Sequence, residues 1–299
     1  MTDERPKAWW TEPQVDYFCL DREDQYVYRY RTHERAIQEL KTRKIRMSPF
    51  AELNDPKESN NWRFDLTSSD SRQGFDPNVE REIEESGTVF AKAHAKVLCV
   101  TLDDASAVGM GVENIWGRGF SRPRMWQQYG ENYRGVCMIF DRVALDRIVQ
   151  AARPEGSVLM AGRVIYGNTP RVFRLSFADH PFMLDYDRVV AAGLQQAVFE
   201  HVIRHRDRLF FEKAIDWQSE KERRWVIWDN THSELFLDIG DALKGVIVGS
   251  EFSNDVALQE EFQDLCAGDK ILVYQLHWRN GSPDINFLRL PTRATSRGG

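Results

Sequence analysis

Apolar and polar residues alternate along Tyr26-Val27-Tyr28-Arg29-Tyr30-Arg31, the period-two pattern of a strand with two different faces. Thr32 then stands as a helix N-cap, with Arg35 where a full capping box would carry Glu or Gln. Ala36, Ile37 and Leu40 give that helix one apolar face, which ends around Thr42-Arg43. Residues 44–48 read as a short strand stopped by Pro49, and Asn54-Asp55-Pro56 has the chemistry of a turn. Past a polar stretch over 59–80, the pattern predicts a helix over 77–96 and a buried strand over 97–102. A short helix over 125–130, a buried strand over 135–140 and a helix over 143–152 capped by Asp141 follow.

The second half continues the alternation. Residues 163–166 predict a short strand, and Val189, Val190, Leu194, Val198 and Val202 predict one long helix over 186–211. Buried strands are expected over 244–249 and 271–276, with a helix over 256–266 between them. Asn280-Gly281 marks a hairpin leading to residues 285–288. No repeat or linker interrupts the series. The expectation is one α+β domain over 25–290, with a mixed, largely antiparallel sheet flanked by helices. Residues 1–24 read as a surface arm and 291–299 as a disordered tail. The Gly-rich stretch over 103–123 reads as a mobile surface loop; it lacks the Lys-Ser and strand–turn–helix context of a phosphate loop.

Composition narrows the classes. A net charge of −6 argues against a generic nucleic-acid coat. Cys19, Cys99, Cys137 and Cys266 are far apart and form no CxxC pair, so they read as reduced thiols. The N-terminus has no apolar signal core and no run approaches a membrane span, so the expected location is the cytoplasm, with no membrane partner.

The chemistry concentrates in residues 217–228, WQSEKERRWVIW. Five charged residues lead into Trp225-Val226-Ile227-Trp228, which has the character of a buried strand. On such a strand Glu220, Glu222 and Arg224 share one face, where each carboxylate raises the other's pKa and the guanidinium offsets part of it. Such a cluster is a site or a charged edge strand. His201 and His205 stand one helical turn apart, as a metal pair does, but no third ligand accompanies them, so a partly exposed helix face is expected. The run Arg204–Arg208 reads as a solvated helix end.

Several segments together resemble a bacterial family, the domain of unknown function 2971. They are Tyr28-Arg29-Tyr30, Ser48-Pro49, Leu53-Asn54-Asp55-Pro56-Lys57-Glu58, Trp126 with Tyr129, Gly135-Val136-Cys137, and Lys213 with Trp217, Glu220, Glu222 and Arg224. Val246-Ile247-Val248-Gly249 completes the set. Leu53 and Lys57 replace aromatic positions of the family pattern, and Tyr133 stands where the family often has His.

The order of these segments is similar to that of ADP-ribosyltransferases, which cleave the nicotinamide–ribose bond of NAD through an oxocarbenium-like transition state. The resemblance implies NAD as substrate and no metal. It puts Glu222 at the ribose hydroxyl and Glu220 at the acceptor as the catalytic pair, and Arg29 on phosphate. Tyr30, Trp126 or Tyr129 would be the aromatic wall, and Ser48, Asn54, Asp55 and Arg224 would complete the cofactor-binding set. Asp55 is expected to bond Arg224 or Lys213. The acceptor stays open between protein, nucleic acid, small molecule and water. A role in bacterial stress or anti-phage defence, as a toxin-like transferase, is implied. Two other classes stay open: a Mg²⁺-dependent nuclease built on Asn54, Asp55, Glu220 and Glu222, and a non-catalytic binding module.

Overall fold

The computed structural model describes residues 25–70, 74–104, 115–167, 180–229, 234–252, 256–268 and 271–287. The expected arm, the expected tail and residues 105–114 of the Gly-rich stretch lie outside them. In chain order the elements are β1 (Tyr26–Arg31), α1 (His33–Thr42), β2 (Lys44–Pro49), α2 (Pro56–Ser59), β3 (Asp65–Thr67), α3 (Pro77–Lys92) and β4 (Ala95–Thr101). Next come α4 (Pro123–Gln128), β5 (Val136–Asp141), α5 (Arg142–Ala151), β6 (Val158–Arg163), β7 (Ile165–Gly167), β8 (Met183–Asp185), α6 (Tyr186–Ala192) and α7 (Leu194–Phe210). The chain continues through β9 (Glu212–Ala214), β10 (Glu222–Trp228), β11 (Leu235–Asp238), β12 (Leu243–Val248), α8 (Val256–Gly268), β13 (Leu272–Arg279) and β14 (Ser282–Phe287).

These elements group into two compact units. The first takes residues 25–44, 100–147 and 238–287; the second takes Ile45–Cys99 and Ile148–Leu237. In the first, β1 pairs antiparallel with β5, β5 antiparallel with β12, and β13 antiparallel with β14. Strand β12 runs parallel to β13. Its core joins Tyr28, Tyr30, Phe120, Trp126, Cys137, Ile139 and Ile247. In the second, β4 pairs with β2 and β10, and β10 pairs antiparallel with β6 over six residues. Helices α3 and α7 pack together there, and Phe50, Trp62, Val198, Phe210, Val226 and Trp228 belong to its core. Helices and a largely antiparallel strand set are as expected. No helix among the described residues is long and apolar enough to cross a membrane.

Local signals account for most boundaries. Thr32 caps α1 through the Arg35 N–H, Asp141 bonds the Ala144 N–H, and Asn280-Gly281 turns the last hairpin with both residues at positive φ. Four expectations need correction. The Gly-rich stretch is not at the surface over 117–121, where 3₁₀ turns bury Arg118, Phe120 and Ser121. The helix expected over 77–96 ends at Lys92, and β4 begins at Ala95. The single long helix over 186–211 is two, α6 and α7, because Gly193 adopts φ 82, ψ 157, a conformation outside the helical region that glycine alone adopts freely. The strand carrying the charged motif begins at Glu222, two residues later than expected. Glu220 closes a 3₁₀ turn over Ile215–Glu220, and Lys221 reverses the chain in the left-handed region at φ 44.

Candidate functional site: a buried network of three carboxylates and two cations

Strand alternation brings Glu222 and Arg224 onto one face of β10, and both are buried. Arg224 Nε lies 2.7 Å from Glu222 Oε1 and its Nη2 lies 2.9 Å from Oε2, a two-pronged fork. Arg224 also donates from Nη1 to the Phe210 carbonyl at 2.7 Å and places Nη2 2.5 Å from Glu58 Oε1. A guanidinium with 0% exposure therefore spends its donors on two carboxylates and a carbonyl.

Lys213 joins the network from β9, which runs parallel to β7 with Tyr166 opposite Lys213. Its ammonium lies 2.8 Å from Glu220, 3.0 Å from Glu222 and 3.8 Å from Glu58. The turn at Lys221 is what brings Glu220 to the same ammonium as Glu222. Strand periodicity has no part in it.

The third carboxylate, Glu58, is the residue that motif reading passed over. Asp55 caps the short helix α2 by accepting from the Lys57 N–H at 2.9 Å, with Pro56 at its first position. The helix carries Glu58, 1% exposed, to Arg224 and Lys213. The partnership expected for Asp55 thus belongs to Glu58, three residues on. The signal was present: Asn54-Asp55-Pro56 is a helix start as well as a turn.

Electrostatics follow from this crowding. Burial works against the Glu222 carboxylate, yet Arg224 and Lys213 outweigh it and hold its pKa down at about 2. Burial also opposes the Lys213 ammonium, but Glu222, Glu58 and Glu220 push its pKa upward. Glu58 goes the other way, raised by burial that Arg224 and Lys213 only partly offset. The Cys99 thiol beside Glu222 is pushed well up by burial and by that carboxylate, so it is not a ready nucleophile.

Two half-buried aromatics flank these charges. The Tyr166 hydroxyl accepts from the Glu222 backbone N–H at 2.9 Å, and the Lys213 ammonium sits 5.2 Å from the centre of the Trp217 ring. Neither was chosen as a wall from the sequence.

The other candidates have different surroundings. Arg29 and Tyr30 belong to the first unit, where Arg29 Nη2 lies 3.8 Å from Glu39 and Tyr30 donates to the Gly119 carbonyl at 2.6 Å. Trp126, also in that unit, is fully buried, donates to the Phe120 carbonyl at 2.7 Å and stacks on Tyr133. Tyr129 packs partly buried against the same core. In the second unit, Ser48 sits in β2 opposite Val97, and Asn54 is exposed. His201 and His205 are both buried, against the expected partly exposed face, with ring centres 4.4 Å apart and His201 Nε2 2.8 Å from the Pro181 carbonyl oxygen. Among the described residues, no group of three or more His, Cys, Asp or Glu is arranged to hold a metal ion.

Residues 125–225 match the family described as protein of unknown function DUF2971. The match supports the kinship read from the motifs. The DUF2971 segment carries Tyr166, Lys213, Trp217, Glu220, Glu222 and Arg224, while Glu58 precedes it. No curated protein and no solved structure matches the chain.

Proposed function

We propose that the chain is an NAD-consuming enzyme of the ADP-ribosyltransferase type, with Glu222 and Glu220 at its reacting centre. The observation that carries this reading is the direct contact of fixed charges: Glu58, Glu220 and Glu222 all meet Lys213, and Glu58 and Glu222 also meet Arg224. Fixed negative charge in a water-poor setting is what a ribosyl cation needs, because an oriented charge there acts without reorganising. Glu222, gripped at both oxygens, is suited to stabilising charge and poorly suited to attacking carbon. Glu220, held through one oxygen by Lys213, is assigned to orienting or deprotonating the acceptor. In this reading Tyr166 and Trp217 take over the role of aromatic wall for nicotinamide. The metal-dependent nuclease loses ground, since a divalent ion would compete with two cations already fixed on the same carboxylates.

A second reading is favoured by the burial itself. Arg224 and Glu58 are 0% and 1% exposed, as in an ionic brace inside a non-catalytic binding module. Thermal unfolding with and without NAD separates the two. An NAD site raises the unfolding free energy by RT ln(1 + [L]/Kd), about 2.7 kcal/mol at a hundredfold excess over Kd. Trp217→Ala should shrink that rise. An unchanged midpoint at millimolar NAD would leave the brace as the better account.

A further inference from the structure

We infer that the first unit holds a binding site for a small organic cation of the substituted-ammonium class, built from Tyr133, Trp278 and Glu251. An open depression of about 410 Å³ is lined by these three with Pro123 and Ser250. The rings of Tyr133 and Trp278 meet at 86° with centres 6.1 Å apart. Parallel rings would clamp a flat heterocycle. A right-angled corner offers two π surfaces to one compact charge, which is how aromatic residues hold quaternary ammonium groups. Glu251 is the one charged residue of that lining among the described residues, and its sign matches.

The corner is held by a strained backbone. Glu131, Asn132 and Tyr133 follow one another at φ 53, 52 and 67, a run that non-glycine residues rarely make. The Tyr133 carbonyl is fixed by the Glu251 N–H at 2.9 Å and by Gly249, where an added Cβ would come within 2.0 Å of that oxygen. Strain of this kind persists where surrounding structure enforces it, and it clusters at ligand sites. The Tyr133 ring is further backed by Trp126, stacked at 11°.

Calorimetric titration of the full chain with choline tests this, alongside the neutral analogue in which a tert-butyl group replaces trimethylammonium. Choline should bind, and the neutral analogue should bind about tenfold more weakly or less. Glu251→Gln, which preserves shape, should erase most of that preference. Trp278→Phe should weaken choline while leaving the melting curve near that of the parent. No heat with millimolar choline, equal binding of the two compounds, or an unaltered preference in Glu251→Gln would each overturn the inference.

Discussion

Arg224 holds Glu222 from two residues further along the same strand, with Nε 2.7 Å from Oε1 and Nη2 2.9 Å from Oε2. Only strand geometry puts residues at this spacing side by side, so the fork depends on β10 being paired along its length with β6. Arg224→Met strips the fork from Glu222 and the guanidinium contact from Glu58. It should cost about 3–5 kcal/mol in urea unfolding, the penalty of an uncompensated buried charge. Arg224→Lys keeps the charge without the fork and should lose less. Parent-like stability in Arg224→Met would show that the network does not support the fold.

Acid should weaken this network in a defined window. Glu222 has its carboxylate held at about 2 against an ordinary 4.5. Its folded-state pKa is depressed, so its contribution is fully present above pH 4.5 and fades as the pH falls towards about 2. The stability gap between the parent and Glu222→Gln should therefore narrow across that window in chemical unfolding. A gap independent of pH would mean the carboxylate is not ionised in the fold.

His201 should dominate a milder range. Burial pulls its imidazole down to about 4 from 6.5, so the unfolded chain takes up a proton there before the folded one does. Stability should fall as the pH drops from 6.5 to about 4, and His201→Phe should flatten that part of the profile. An unchanged slope would assign the loss to other groups.

Much of the fold was legible because local signals agreed with the tertiary arrangement: the β1 strand, the Thr32 and Asp141 caps and the Asn280-Gly281 turn all formed where the pattern put them, although β1 is buried on both faces. The exceptions share a cause. Gly193 and Lys221 each sit at positive φ in the middle of an apparently continuous pattern, and hydrophobic periodicity carries no record of a single backbone reversal. At the site, residue types were readable and partnerships were not. Asp55 looked like the acidic partner because it is invested in a turn motif, yet its Oδ1 caps α2 and the helix delivers Glu58 instead. Which aromatics lie near the charges was beyond sequence spacing, since Tyr166 meets Glu222 just past the β6–β10 pairing, where the Val164 N–H donates to the Glu222 carbonyl.

Gly193 offers a direct check on the first of those exceptions. Its φ of 82 with ψ of 157 is open to glycine and little else, although no neighbouring atom crowds the position. Gly193→Ala should cost about 1–3 kcal/mol from backbone strain alone. A variant as stable as the parent, with more helix by circular dichroism, would mean that α6 and α7 fuse readily.

The central claim rests on Glu222, and nicotinamide release from NAD measures it most directly. The parent, Glu222→Gln and Glu220→Gln are compared at a temperature where melting curves show all three folded. The account predicts that the parent releases nicotinamide and that Glu222→Gln loses about 10²–10³-fold of that rate. Glu220→Gln should lose label transfer to an acceptor while keeping part of the hydrolysis, since water demands less of a base. Release by Glu222→Gln at the parent's rate, or no release by the parent with protein, nucleic-acid and small-molecule acceptors, would contradict it.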